Sequence, residues 1–163
     1  MEKKEIINGL LKNGAKSVNG LKVKNVTVTV LENYTRLGLT LDKPVEGYIA
    51  KEDGTFEKGE TNVIFVSAFA VASVLKDNDD CAFAANHLVE HPEAMNVILS
   101  RAQIDIIQEP VTSGQEYRNP WSNNSDNATV FDHDTIINHL TGIKLSDFSI
   151  RKLDTLADKM LGF

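Results

Sequence analysis

Three groups of residues in this chain have side chains able to do chemistry. His87-Leu88-Val89-Glu90-His91 matches the H-x-x-E-H pattern of zinc peptidases, where two histidines bind metal and the glutamate activates water. Positions i and i+4 share a helix face, so the spacing is physically sound. Pro92 follows at once, which puts His91 at a fraying helix end, and no helical carboxylate follows as a third ligand. A histidine near a helix C-terminus, favourable to the dipole, accounts for the same residues. Asp132-His133-Asp134 with His139 form a second group, open to carboxylate–imidazole chemistry or to plain capping of a helix start. The ten glycines are scattered, so there is no phosphate-cradling loop, and Ser67 and Ser73 lack the flanking glycines of a nucleophile elbow. We therefore expect no enzyme, no metal and no cofactor.

The third group pairs rings with cations. Gln115-Glu116-Tyr117-Arg118-Asn119-Pro120-Trp121 places Tyr117 and Trp121 around Arg118. Flat accessible rings stack on unpaired bases, and a neighbouring arginine stacks or neutralises phosphate. Tyr34 with Arg36 and Tyr48 with Lys51 repeat the combination, and Lys22 and Lys24 add positive charge. Tyr34, Tyr48, Tyr117 and Trp121 are the candidate stacking residues; Lys22, Lys24, Arg36 and Arg118 are the candidate phosphate contacts. The other reading has Tyr117 and Trp121 pinning a loop to its own core or to a neighbouring subunit.

Composition bounds these readings. The chain has 163 residues, 42% of them hydrophobic, enough for one well-buried domain. One cysteine, Cys81 in an apolar run, excludes an internal disulfide framework and reads as buried packing. Residues 1–8 are polar and no run of 18 apolar residues exists, so we expect no secretory signal and no membrane span. The expected setting is cytoplasmic, the host's cytoplasm if the chain is phage-encoded. The net charge of −6 is uneven: residues 1–60 hold 10 Lys/Arg against 9 Asp/Glu, the remainder 7 against 14. Such a balance opposes avid duplex binding but permits a local basic groove.

These residues need elements to hold them. Ile6, Ile7, Leu10 and Leu11 have helical spacing, with Asn13-Gly14 as a left-handed stop, so residues 1–14 form an N-terminal helix. Alternation predicts strands over 23–31 and 35–41, an edge continuation at 45–50 after Pro44, and a hairpin at 51–60 turning on Asp53-Gly54. Residues 62–69 are almost all apolar or small, which predicts burial on both faces. The period then turns helical at Phe69, Val71, Ala72 and Leu75, with a second helix over 80–90 and a further turn or two in 93–100. Ile104, Ile106 and Ile107 mark a strand ending at Pro110. Residues 112–130 read as a polar arm. Over 132–163 we expect two helices, one capped by Asp132 or Asp134 and running through Leu140, one capped by Ser146.

Strands, a helix and further strands in this order predict an α+β fold: an antiparallel Greek-key, OB-like β-barrel over 22–121, with a helical insertion at 69–100 and terminal helices. The run Asn62-Val63-Ile64-Phe65-Val66-Ser67-Ala68-Phe69-Ala70-Val71-Ala72-Ser73 resembles the third strand and following helix of bacterial-type single-stranded-DNA-binding proteins. The Lys51-Glu52-Asp53-Gly54 hairpin before it, and the 103–108 strand followed by Ser113-Gly114-Gln115, fall in the corresponding order. The resemblance covers about half of the chain. It implies a non-catalytic coat for single strands in replication or repair; overall character, with no motif behind it, adds the expectation of a phage or mobile-element source, and a homo-oligomer is expected. The chain departs from that family in having a single tryptophan, and in residues 153–163, which read as a packed helix instead of an acidic tail. The competing expectation is an auxiliary structural subunit of a phage particle, assembling through its arm and terminal helices.

Overall fold

The computed structural model describes residues 3–32, 34–77, 94–99, 101–121, 128–147 and 151. Their arrangement is α+β, mostly antiparallel sheet with few helices. In chain order the elements are α1 (Lys3–Lys12), β1 (Lys16–Val30), β2 (Thr35–Ala50), β3 (Phe56–Ser67), α2 (Ala68–Lys76), α3 (Met95–Ile98), β4 (Gln103–Val111), β5 (Glu116–Tyr117), β6 (Thr129–Val130) and β7 (Thr135–Lys144). Five strands form one sheet in the order β3-β2-β1-β4-β7, and β5 pairs with β6 in a small second ladder. The chain divides into two compact units, and the divisions fall within strands. One unit holds Met1–Val18, Pro44–Thr61 and Ile107–His139; the other holds Asn19–Lys43, Asn62–Ile106 and Leu140–Phe163.

In the second unit, alternation decides which side chains are buried. Val26 pairs with Leu39 and Val28 with Leu37, while Thr27 pairs with Gly38 and Thr29 with Arg36. Leu37, Leu39 and Leu41 are wholly buried, as are Ile64 of β3 and Ile104 and Ile106 of β4, and Val66 of β3 is buried beside them. The register shifts between Val23 and Asn25, so one strand face keeps Leu21, Val23 and Val26 inward despite the odd spacing. β4 runs against β1: the Val23 N–H donates to the Ala102 carbonyl at 2.8 Å, and three residues back the Gly20 N–H donates to Asp105 Oδ1 at 3.0 Å. Gly20 has φ +72°, and the neighbouring Lys22 N–H donates to Asp42 Oδ1 at 3.0 Å. Two carboxylates thus accept backbone N–H groups of β1 just before its register shifts. Ser67 ends β3 and caps α2, its hydroxyl accepting the Ala70 N–H at 3.0 Å.

The first unit packs α1 through Ile6 and Leu10 against Ala15 and Ile107, with Ile7 and Trp121 at the margin. Gly14, at φ +99°, follows the helix as its spacing predicted. Gly54 has φ +84° in the 51–55 turn, where Asp53 Oδ1 accepts from the Thr55 hydroxyl at 2.6 Å and from its N–H at 3.0 Å. Those bonds hold the Asp53 carboxyl below its usual range. Buried Gln108, 4% exposed, donates from Nε2 to the Glu46 carbonyl and to Asn138 Oδ1, both at 2.9 Å.

Several expectations need correction. The helix expected from Asp132 or Asp134 through Leu140 is strand β7. Thr135, Ile136, Ile137, Thr141 and Ile143 are β-branched, and the Thr141 hydroxyl bonds the Asp105 carbonyl of β4 at 3.1 Å. Residues 45–50 continue as strand past Pro44, as expected, but they belong to β2, which lies between β3 and β1 and is not an edge of the sheet. Residues 62–69 are not buried on both faces: Ile64 and Val66 point inward, while Val63, Phe65 and Phe69 are exposed. The arm at 112–130 contains the β5–β6 ladder, Glu116 opposite Val130 and Tyr117 opposite Thr129. The helix expected over 80–90, with Cys81, His87, Glu90 and His91, lies outside the described residues, as does nearly all of the one expected after Ser146.

The inward leucine row of β2 should dominate stability. Leu37→Ala is expected to cost about 2–5 kcal/mol in urea unfolding, whereas a loss below about 1 kcal/mol would mean the sheet's inner face is not the packed core.

Candidate nucleic-acid interface

The outer face of β2 and β3 in the second unit brings a ring and a cation together. Phe65 lies two residues after Val63 on the side opposite Ile64 and Val66, and it is 56% exposed. A Cβ at Gly38 would stand 3.3 Å from the Phe65 ring, so the glycine lets the ring settle against β2. Two residues earlier on the same face, the Arg36 guanidinium carbon sits 4.7 Å from the ring centroid. Such a cation–π contact contributes about 0.5–1 kcal/mol at an exposed site. Lys22 and Lys24 are exposed on β1, alternating with the inward Leu21 and Val23. Tyr34, 43% exposed, stands at the turn into β2, where its carbonyl accepts the Leu31 N–H.

Of the sequence-derived candidates, Lys22, Lys24, Tyr34 and Arg36 belong to this unit, with Arg36 in contact with Phe65. Phe65 itself was assigned to the interior. Its outward position was available from the alternation with Ile64 and Val66, combined with a glycine on the partner strand. Tyr48, Tyr117, Arg118 and Trp121 belong to the other unit.

There the rings turn inward. Trp121 packs at the margin of the Ile6–Leu10–Ala15–Ile107 cluster, and its N–H is tied locally to Asn119 Oδ1 at 3.0 Å. Its indole Nε1–H donates to His139 Nδ1 at 2.7 Å, and His139 Nε2 lies 2.9 Å from Glu109 Oε1. An indole can only donate, so Nδ1 is bare and Nε2 carries the proton that Glu109 accepts. The Tyr117 hydroxyl is sealed from solvent near the same carboxylate. Burial, and then the negative charge of Glu109, push its phenol well above the usual range. Arg118 pairs with Glu116 at 3.4 Å. A cavity of about 250 Å³ adjoins, lined by Glu5, Ile6, Leu10, Glu109, Arg118 and Pro120 among others. Tyr48 is half-buried on β2. This geometry fits the pinning role for Trp121 and Tyr117.

The Asp132–His133–Asp134 group holds turns together. His133 Nδ1 lies 2.6 Å from Asp132 Oδ1, its ring stacks on Phe56 at 3.9 Å between centroids, and Asp134 Oδ1 accepts the Ser113 N–H at 2.9 Å. No cluster of three or more His, Cys, Asp or Glu able to hold a metal occurs among the described residues.

The raised Tyr117 phenol has a signed consequence. Its neutral form is favoured in the folded state, so that stabilisation is complete below the ordinary phenol pKa of 10.0 and is lost as pH rises through the folded value. In an alkaline tyrosinate absorbance titration, the native protein should show a late component that Tyr117→Phe removes; an unchanged curve would place the hydroxyl in solvent. Compared with known proteins, the chain matches no family model, no curated protein and no solved structure.

Proposed function

We propose that this protein binds single-stranded DNA without catalysis, through the outer face that carries Phe65 and Arg36. The single observation behind this reading is a large ring left more than half exposed on a strand and flanked by a guanidinium. Burying a phenylalanine side chain yields about 1.5–3 kcal/mol, so the exposed ring forgoes stability that a base stacked on it would recover. Every base offers a π-face, which makes such a platform tolerant of sequence. Thr27, Thr29 and Thr40 alternate with the inward row beside it and supply hydroxyls without negative charge.

The strand order supports the same reading. Three consecutive strands with a fourth beside the first is a sheet order compatible with a Greek key, and it lends support to that arrangement. With α2 following the third strand, this is the element order of an OB-like barrel, which uses its second and third strands to bind oligonucleotides. The role that follows is coating of exposed strands in replication or repair. The alternative, an assembling structural subunit, draws on Val30 and Phe69, 73% and 60% exposed.

Anisotropy of labelled oligo-dT at several salt concentrations separates the two. Three cations, Arg36, Lys22 and Lys24, each worth about 0.7 in the slope of log affinity against log salt for single strands, give an expected slope of about −2. Phe65→Ala should weaken binding by about 1–3 kcal/mol while leaving the urea midpoint nearly unchanged, and Arg36→Ala should flatten the slope by about 0.7. Absence of binding by the native chain, with concentration-dependent light scattering that Phe69→Ser abolishes, would replace this reading with the structural one.

A further inference from the structure

The fold buries a histidine, 5% exposed, between one group that can only donate and one that can only accept. Trp121 Nε1–H reaches Nδ1 at 2.7 Å from one side, and Glu109 faces Nε2 at 2.9 Å from the other. In the neutral imidazole every donor meets an acceptor. A second proton has only Nδ1 to occupy, and there it would point at the indole N–H. We propose that His139 is a proton-operated latch for Trp121: neutral, it holds the indole against the first unit's core; protonated at Nδ1, it keeps Glu109 and releases Trp121.

The charge distribution makes release selective. Protonation turns the Nε2–H···Glu109 bond into an ion pair, which strengthens it, while the Trp121 bond is lost. The imidazole of β7 therefore stays on Glu109 of β4, and the Trp121 side chain alone loses its tie while Glu116 and Tyr117 keep their ladder to β6. Other charged or titratable groups around the latch are the Tyr117 phenol beside Glu109, Glu5 of α1 and Arg118 on the shared cavity, and Glu116, which pairs with Arg118. The group that faces Nδ1 is the Trp121 indole N–H, so a proton at that atom acts on the Trp121 bond. Trp121 also rests on Ile6, Leu10, Ala15 and Ile107, an apolar contact that it leaves when the bond breaks. This inference is independent of the proposed DNA-binding face, which draws on residues of the other unit.

The chain has one tryptophan, so a single indole resonance reports the latch. In the protein, nitrogen NMR of the His139 ring and solvent exchange of the indole N–H would be followed as the solution is acidified from about pH 8 to about pH 5. Expected is an indole exchange rate rising about ten-fold, the worth of one hydrogen bond, with the same midpoint as Nδ1 protonation. His139→Gln supplies a carbonyl to the indole and an amide to Glu109 without titrating, so it should keep the indole protected throughout. His133→Gln should leave the transition in place. The latch is overturned if Nδ1 gains its proton while the indole stays protected, if Nδ1 stays bare to about pH 5, or if His139→Gln shows the same transition. Should His139→Gln fail to fold, coincidence or separation of the two midpoints in the native chain still decides.

Discussion

Everything described rests on β1 being paired on both sides, with β2 and with β4, in a register that its own inward row dictates. Leu21, Val23 and Val26 face the leucines of β2 and the isoleucines of β4. A slip of one residue against β2 would turn Leu37, Leu39 and Leu41 to solvent and bury Arg36. The register is therefore strongly specified where the apolar row is continuous. The register shifts between Val23 and Asn25, and just before it Asp105 and Asp42 accept the Gly20 and Lys22 N–H groups. A carboxylate on a backbone N–H is a charge-assisted bond, stronger than the carbonyl contact it replaces. The irregular part of the strand is thus held by side chains from both neighbours, and the outward position of Arg36, Gly38 and Phe65 follows from the regular part.

Local signals were legible where one short-range rule governs. The α1 period with its Gly14 stop, the Asp53-Gly54 turn and the β-branched run of β1 each depend on a few adjacent residues. β7 was misread because Thr135–Leu140 follows acidic residues that resemble a helix cap, and the partner that selects a strand lies about thirty residues earlier in β4. Asp134 does cap something, but it is the Ser113 turn. Phe65 was hidden by composition: a run that is apolar throughout conceals its own alternation, and only the pairing with Gly38 shows which half faces out. Four of the eight candidate binding residues fall in the unit that also holds Phe65, and Arg36 touches it. Tyr48, Tyr117, Arg118 and Trp121 were grouped with them on ring and charge alone, which cannot tell an exposed ring from one with a buried acceptor.

That distinction is chemical. Trp121 has an N–H that must find an acceptor when it leaves water, and His139 provides one; Phe65 has no polar atom, so nothing but packing decides its place. His139 in turn needs Glu109, and Gln108 next to it satisfies Glu46 and Asn138. One end of β4 therefore carries polar side chains, Gln108 in one set of hydrogen bonds and Glu109 in another, while isoleucines lie earlier in the strand. Low local dielectric makes a complete network rigid and a broken one costly. An aromatic residue anchored in such a network is poorly suited to stack on a passing base, because leaving would strand the imidazole nitrogen. A phenylalanine resting on a glycine and an arginine can accept a base and break no hydrogen bond of its own. Among the described rings, that physical asymmetry makes Phe65 better suited than Trp121 to the proposed stacking on a base.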